Sequence, residues 1–235
     1  MDAFRLLERA AGPLAGLSAA TFAGLSAARG KRFFHPTGEV LGGQITFQET
    51  SLGLPFDGIH PVIARLSRGI GLPQSAPDVL GLAVKIPDDN QDLLFATSGE
   101  SAVTRHLLLP AGGFFSMPYS TILPYELHGR LIVFGAKADD DLREMSRAEL
   151  ADLGPLVATG RLRFELTVGG AGTSEHQTFA SLVLDESHGD SVSFNPWNTH
   201  PDLHPAGGLN RLRRDSYRSS QAARPDGDVD AEAVS

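Results

Sequence analysis

The sequence predicts an α+β fold in which short antiparallel strands form a sheet or barrel with helices packed around it. Three observations support this. Several segments alternate apolar and polar residues with the period of two expected of a half-buried strand, as in Gln44-Ile45-Thr46-Phe47-Gln48. Gly and Pro, 26 and 15 residues respectively, punctuate the chain at short intervals. Val79 to Ile86 is a nearly continuous apolar run of strand length.

In chain order, residues 1–29 form an arm. It carries no charge from Ala10 to Ala28 and has only Leu14, Leu17, Phe22 and Leu25 as bulky residues. That is too weakly apolar for a membrane span. Asp2 and Glu8 are unlike the basic start of a signal peptide. The arm reads as a helix packed on the body through its small residues, with an interfacial membrane helix as the rival reading. Phe33 to Thr50 reads as strand, turn and strand, broken at Gly42-Gly43. Further strands are expected at Val79–Ile86, Leu131–Phe134, Arg161–Val168 and Thr178–Leu184. A helix is expected over Asp139–Leu153, with Leu142, Met145, Leu150 and Leu153 on one face and three aspartates at its start. Another is expected near Leu209–Arg224, after a Pro-rich loop. Residues 30–224 thus form the main domain. Residues 225–235 form an acidic tail, small in side chain and expected to be disordered.

Net charge is −8, which disfavours a nucleic-acid partner, because phosphate binding needs a basic face. Cysteine is absent, so disulfides and thiolate metal sites are excluded, and a cytoplasmic location is the expectation.

Three separated segments carry the chemistry. In the last, Arg213 and Tyr217 lie four residues apart and share a face if the segment is helical. A neighbouring guanidinium favours the phenolate of a tyrosine. Phenolate is a strong donor to ferric iron, and Tyr is one of the known axial haem ligands. Arg224 follows seven residues later, two turns along the same face. In the first segment, His35 lies in Arg32-Phe33-Phe34-His35-Pro36-Thr37-Gly38. A histidine can take a proton from one peroxide oxygen and return it to the other, because its ordinary pKa near 6.5 permits both roles. Read singly, His35 is better explained as a structural strand histidine and Tyr217 as a packed tyrosine on a basic helix. The middle segment runs Asp78-Val79-Leu80-Gly81-Leu82-Ala83-Val84-Lys85-Ile86 and continues to Asp92-Leu93-Leu94.

Together and in this order, the segments resemble the haem-dependent catalase family and its smaller relatives, the allene oxide synthases and minimal haem peroxidases. Arg32, His35 and Gly38 match the family's Arg-x-x-His-x-x-Gly motif. Asp78, Gly81, Ala83 and Lys85 match its Asp-x-x-Gly-x-Ala-x-Lys strand. Arg213, Tyr217 and Arg224 match its proximal motif, and Phe194-Asn195-Pro196 precedes it. The resemblance implies a closed antiparallel barrel with surrounding helices and a b-type haem whose iron is held by Tyr217. It implies His35 as the proton shuttle on the opposite side. It also implies Arg65-Leu66-Ser67 as the element in which Arg65 contacts a haem propionate and Ser67 orients His35. Arg32 and Arg224 would bind propionates, and Arg213 would hold Tyr217 as phenolate.

The chain also departs from that pattern. Counting from Asp92 puts Thr97 where catalases keep an asparagine that hydrogen-bonds peroxide, and the chain is about half a catalase's length. The expected activity is therefore a haem peroxidase acting on organic hydroperoxides or hydrogen peroxide with a small reductant, with weak catalase activity at most. A homo-oligomer is left open. The alternatives are a hydroperoxide isomerase or lyase using the same haem, and a non-enzymatic haem- or lipid-binding barrel. Other signals are weaker. His200 and His204 have zinc-like spacing, but Pro201 and Pro205 oppose a helix there. Asp185 to Asp190 lacks a calcium-loop pattern. Tyr119 and Tyr125 have no arginine four residues before them.

Overall fold

The computed structural model describes residues 37–69, 76–189 and 192–206. The N-terminal arm, the expected helix at Leu209–Arg224 and the acidic tail lie outside these residues, as do Arg32, His35, Arg213, Tyr217 and Arg224.

Ten strands form a single sheet among the described residues. They are β1 (Thr37–Phe47), β2 (Ile59–Arg68), β3 (Leu80–Ile86), β4 (Gln91–Thr97), β5 (Tyr119–Ser120), β6 (Tyr125–Leu127), β7 (Arg130–Ala138), β8 (Leu162–Gly170), β9 (Gln177–Ser187) and β10 (Leu203–Pro205). The order β7-β5-β4-β3-β2-β1-β9-β8 closes on itself because β8 also pairs with β7, so eight strands make a barrel. The strand pairs are antiparallel. β5 and β6 both lie along β7 and are two pieces of one wall position. They are separated at Thr121–Pro124, where Ile122 takes φ 62°. β10 adds outside β6.

Period-two alternation turns one set of side chains into the barrel. Leu66, Leu82 and Leu93 are fully buried there, joined by Ile45, Val84 and Phe164 in one apolar core. Each such side chain contributes about 1.5–3 kcal/mol relative to leaving it exposed. Closure leaves no free edge among the eight barrel strands, which removes the usual aggregation hazard of a sheet.

The structure corrects the sequence reading at three places. Gly42-Gly43 does not end a strand. β1 runs through it in unbroken register with β2, and the pair instead makes a bulge against β9. Glycine is needed there because a Cβ on Gly43 would collide with the Val183 carbonyl. The expected helix at Asp139–Leu153 is two short ones, α1 (Asp140–Arg143) and α2 (Leu150–Ala158). The break follows from Glu149, which starts α2 with a capping box closed by Asp152, and from the Phe114 amide, which binds the Ala148 carbonyl just before it. Finally, β2 and β4 are full barrel strands although neither stands out as one in the sequence.

Candidate functional site

The outward side chains of β1–β4 form ordered rows, because antiparallel partners directly opposite one another point the same way. One row runs Gly38, Ser67, Gly81 and Ala96 across the four strands. The next runs Val40, Arg65, Ala83 and Leu94. A third brings Ile63, Lys85 and Asp92 together beside Gly42. The described members of the family-like elements, Gly38, Arg65 with Ser67, and Gly81 with Ala83, thus meet on one patch of outer wall, although they are distant in sequence.

The geometry explains individual motif residues. A Cβ on Gly38 would lie 2.8 Å from Ser67 Cβ and 3.1 Å from Arg65 Nη2, so glycine lets the Arg65-Leu66-Ser67 element close against β1. Gly81 and Ala83 keep the middle of the patch flat. Asp78, buried just before β3, faces Arg68 with Nε 3.7 Å from its carboxylate. Its own backbone pairs with Ala111. Asp78 is therefore a structural member of its motif. Lys85 donates to both oxygens of Asp92 at 2.8 and 2.9 Å.

Of the expected site residues, the structure brings Arg65 and Ser67 together but does not place Thr97 with them. Thr97 lies on the other face of β4, fully buried. Its hydroxyl donates to the Leu109 carbonyl at 2.6 Å and accepts from the Leu80 amide at 3.1 Å. Those two bonds occupy it as a structural tie between β3, β4 and the following loop. The β4 residue that shares a row with Ser67 is Ala96. Counting by twos from Asp92 through Leu94 reaches Ala96, so strand periodicity was the signal that could have found it.

The rival tyrosines are also placed. The Tyr119 hydroxyl donates to the Phe114 carbonyl at 2.7 Å. Its side chain is buried in the core, and burial raises its pKa above the usual phenol range. Tyr125 is buried edge-on to Phe134 in the core. His200 lies in a turn with Nδ1 3.7 Å from Asp202, and His204 is exposed on β10. Among the described residues no group of three or more His, Cys, Asp or Glu could hold a metal ion. No described helix is long and apolar enough to cross a membrane.

Comparison with solved structures gives the same architecture. A fungal catalase superposes with a TM-score of 0.64 at 12% identity, over 88% of this chain and 61% of that one. Catalase A from Saccharomyces cerevisiae superposes with a TM-score of 0.64 at 12% identity, over 88% of this chain and 63% of that one. The barrel is catalase-like. The chain spans about three fifths of the length of those two catalases. No protein-family model and no curated protein matches the sequence.

The sequence resemblance implies a haem, and the outer wall can be tested for fit. A planar macrocycle with carboxylate edges needs a flat floor and a cation near its rim. The catalase-like barrel offers Gly38, Gly81, Ala83 and Ala96, none larger than a methyl group in side chain. Arg65 reaches across to Gly38 beside them. These residues fit such a group from one side. The proposed iron ligand Tyr217 and proton shuttle His35 lie outside the described residues. His35 is three residues before Gly38 in sequence.

Proposed function

We propose that this protein binds a b-type haem against the outer wall of β1–β4, that Tyr217 would hold its iron, and that it acts as a haem-dependent peroxidase. The observation that carries the reading is the convergence of Gly38, Arg65, Ser67, Gly81 and Ala83, drawn from three motif elements, on one flat patch. The bound haem would supply the electrons for O–O cleavage. Arg65, with Arg32 and Arg224, would hold the propionates, and Arg213 would keep Tyr217 as phenolate. His35 would move a proton from one peroxide oxygen to the leaving one, its ring oriented by the Ser67 hydroxyl.

Ala96 favours organic hydroperoxides over hydrogen peroxide and supports weak catalase activity at most. At the position in the Ser67 row where β4 contributes a side chain, it offers a methyl group and no hydrogen bond. A small reductant would complete the cycle.

Haemin reconstitution tests this. The parent should give a Soret band with ferric high-spin features, and Tyr217→Phe should lose or shift it. His35→Ala should keep the haem and slow reaction with peroxide by about two to four orders of magnitude, the range for general acid–base help. A parent that binds no haemin, or a Tyr217→Phe variant with unchanged binding, sinks the ligand assignment. Equal peroxide rates in parent and His35→Ala sink the proton shuttle.

A further inference from the structure

One histidine of the barrel wall faces two acceptors that a neutral ring cannot both serve. His106 ends the 3₁₀ turn Thr104–His106 and is half-buried. Its Nδ1 lies 2.7 Å from the Ile122 carbonyl oxygen and its Nε2 lies 2.8 Å from the Ala171 carbonyl oxygen. A neutral imidazole has one N–H and one lone pair, so it donates to one carbonyl and turns a lone pair on the other. An imidazolium donates to both.

The ring holds a strained segment. Ile122 sits at φ 62°, a left-handed conformation that β-branched residues rarely adopt. Its amide donates to the Ser120 hydroxyl at 2.8 Å, and that hydroxyl donates to the Arg105 carbonyl. Such a conformation persists where the surrounding structure over-determines it. Here Ser120 fixes the amide side and His106 the carbonyl side. On the other side of the ring, Ala171 opens the β8–β9 turn, and its amide donates to the Leu131 carbonyl at 2.9 Å. One imidazole therefore ties the corner Thr121–Pro124, between β5 and β6, to the turn between β8 and β9.

We infer that His106 is a proton-dependent clamp: doubly protonated, it joins the β5–β6 corner to the β8–β9 turn, and loss of one ring proton to water frees one carbonyl and loosens the corner. The clamp needs no haem. Histidine is the side chain whose charge ordinarily changes between about pH 5 and 8, so the device responds in that range. The neighbouring ionisable groups leave the two carbonyls as its main partners among the described residues. Arg105, next on the same turn, directs its guanidinium to the Thr173 carbonyl at 3.3 Å, and its positive charge opposes the clamp. The corner Thr121–Pro124 has no ionisable side chain. Glu100 before the 3₁₀ turn, Glu126 on β6, His128 and Arg130 at the start of β7, and Glu175 and His176 in the β8–β9 turn are all exposed.

The experiment uses the full chain without haemin, at about pH 5 and about pH 8, the two ends of the histidine range. Hydrogen exchange is read at the Ile122 and Leu123 amides and corrected for the intrinsic base-catalysed rate. Protection should be about 10- to 100-fold lower at the higher pH, the worth of one hydrogen bond to a charged group. In His106→Gln, whose side chain cannot change charge, protection should be low at both pH values and the step should vanish. His176→Gln, which replaces the histidine of the β8–β9 turn, should keep the parent step. Nitrogen NMR of the parent ring counts its protons directly, and it decides the matter if His106→Gln fails to fold. It should show two N–H groups at the lower pH, with one lost over the interval in which the corner loosens. Equal protection at both pH values overturns the clamp. So does a step that survives in His106→Gln, or a ring with one N–H throughout.

Discussion

The two halves of the barrel wall share one interior but treat their outer faces differently. The row that begins Gly38, Ser67, Gly81, Ala96 continues around the barrel through Ser120, Gly135 and Thr167. On β5–β8 that continuation is closed by the chain itself. Ser120 donates to the Arg105 carbonyl at 2.5 Å and accepts the Ile122 amide at 2.8 Å. The His106 ring sits between the carbonyls of Ile122 and Ala171, at 2.7 and 2.8 Å. The buried Arg105 guanidinium donates to the Thr173 carbonyl at 3.3 Å, and burial lowers its pKa from the usual value. A 3₁₀ turn, Thr104–His106, is thus clamped over the wall. On β1–β4 the same row has small side chains and motif residues: Ser67 and Gly81 are buried, and Gly38 and Ala96 at its two ends are half-buried. One half uses its outer face to build the protein, and the other presents it to the proposed cofactor.

The largest expected effect is common to both halves. Leu82→Ala should destabilise by about 2–5 kcal/mol in urea unfolding, because it empties part of the shared interior. A loss near zero would mean that the two halves do not share a core. Next comes the row itself. Ser120→Ala strips the Arg105 carbonyl and the Ile122 amide of a partner and should cost about 1–3 kcal/mol without changing the peroxide rate. Ser67→Ala should instead slow peroxide reaction by roughly five- to tenfold, the worth of one orienting hydrogen bond. If both variants lose stability and neither changes rate, the two halves are alike and the comparison fails.

Adjacent residues of β4 sharpen the contrast between faces. Thr97→Val should cost about 1–3 kcal/mol, since it orphans the Leu80 amide and the Leu109 carbonyl. Ala96→Ser should stay within about 0.5 kcal/mol. A reversal of that order would show that the inward and outward faces of β4 have been exchanged.

The smallest effect is a pH dependence at the open end of β2 and the β3–β4 turn. Burial pulls the His60 pKa down, but the Asp57 carbonyl at 2.6 Å, Asp88 at 3.3 Å and the Asp89 charge outweigh it, leaving it above the ordinary 6.5. The folded state therefore holds this proton more tightly than the unfolded state. Its stabilising contribution is complete below about 6.5 and is lost as pH rises through the folded value. Burial, partly countered by His60 and His200, raises Asp89 above its ordinary 3.8, so its penalty at neutral pH is relieved as pH falls through the raised value. His60→Gln should flatten the slope of stability against pH above 6.5. An unchanged slope would remove His60 as its source.

Strands β3, β8 and β9 were legible in the sequence because their apolar residues recur in period two or in unbroken runs that only a buried strand of that length explains. β2 was not, because Pro61, Arg65 and Ser67 on its outer face obscure the inward Val62, Ala64 and Leu66. The broken helix at Asp139–Leu153 misled because amphipathic spacing continues across a gap that Glu149 and Asp152 cap locally. At the site, Gly38, Arg65 and Ser67 could be singled out by motif, but their meeting depends on barrel register, which a linear spacing does not carry. The same register separates Thr97 from Ser67 and substitutes Ala96. The bonds that the Asp92 carboxylate accepts from the Asn195 amide and the Asn198 side chain were invisible for a related reason: those partners are about a hundred residues away.

The most direct measurement is a crystal structure of the haemin-reconstituted full chain. The account predicts the porphyrin lying against Gly38, Gly81, Ala83 and Ala96, with Arg65 at a propionate, Ser67 turned to His35 and Tyr217 on the iron. A porphyrin bound elsewhere, or iron held by any residue other than Tyr217, would contradict it.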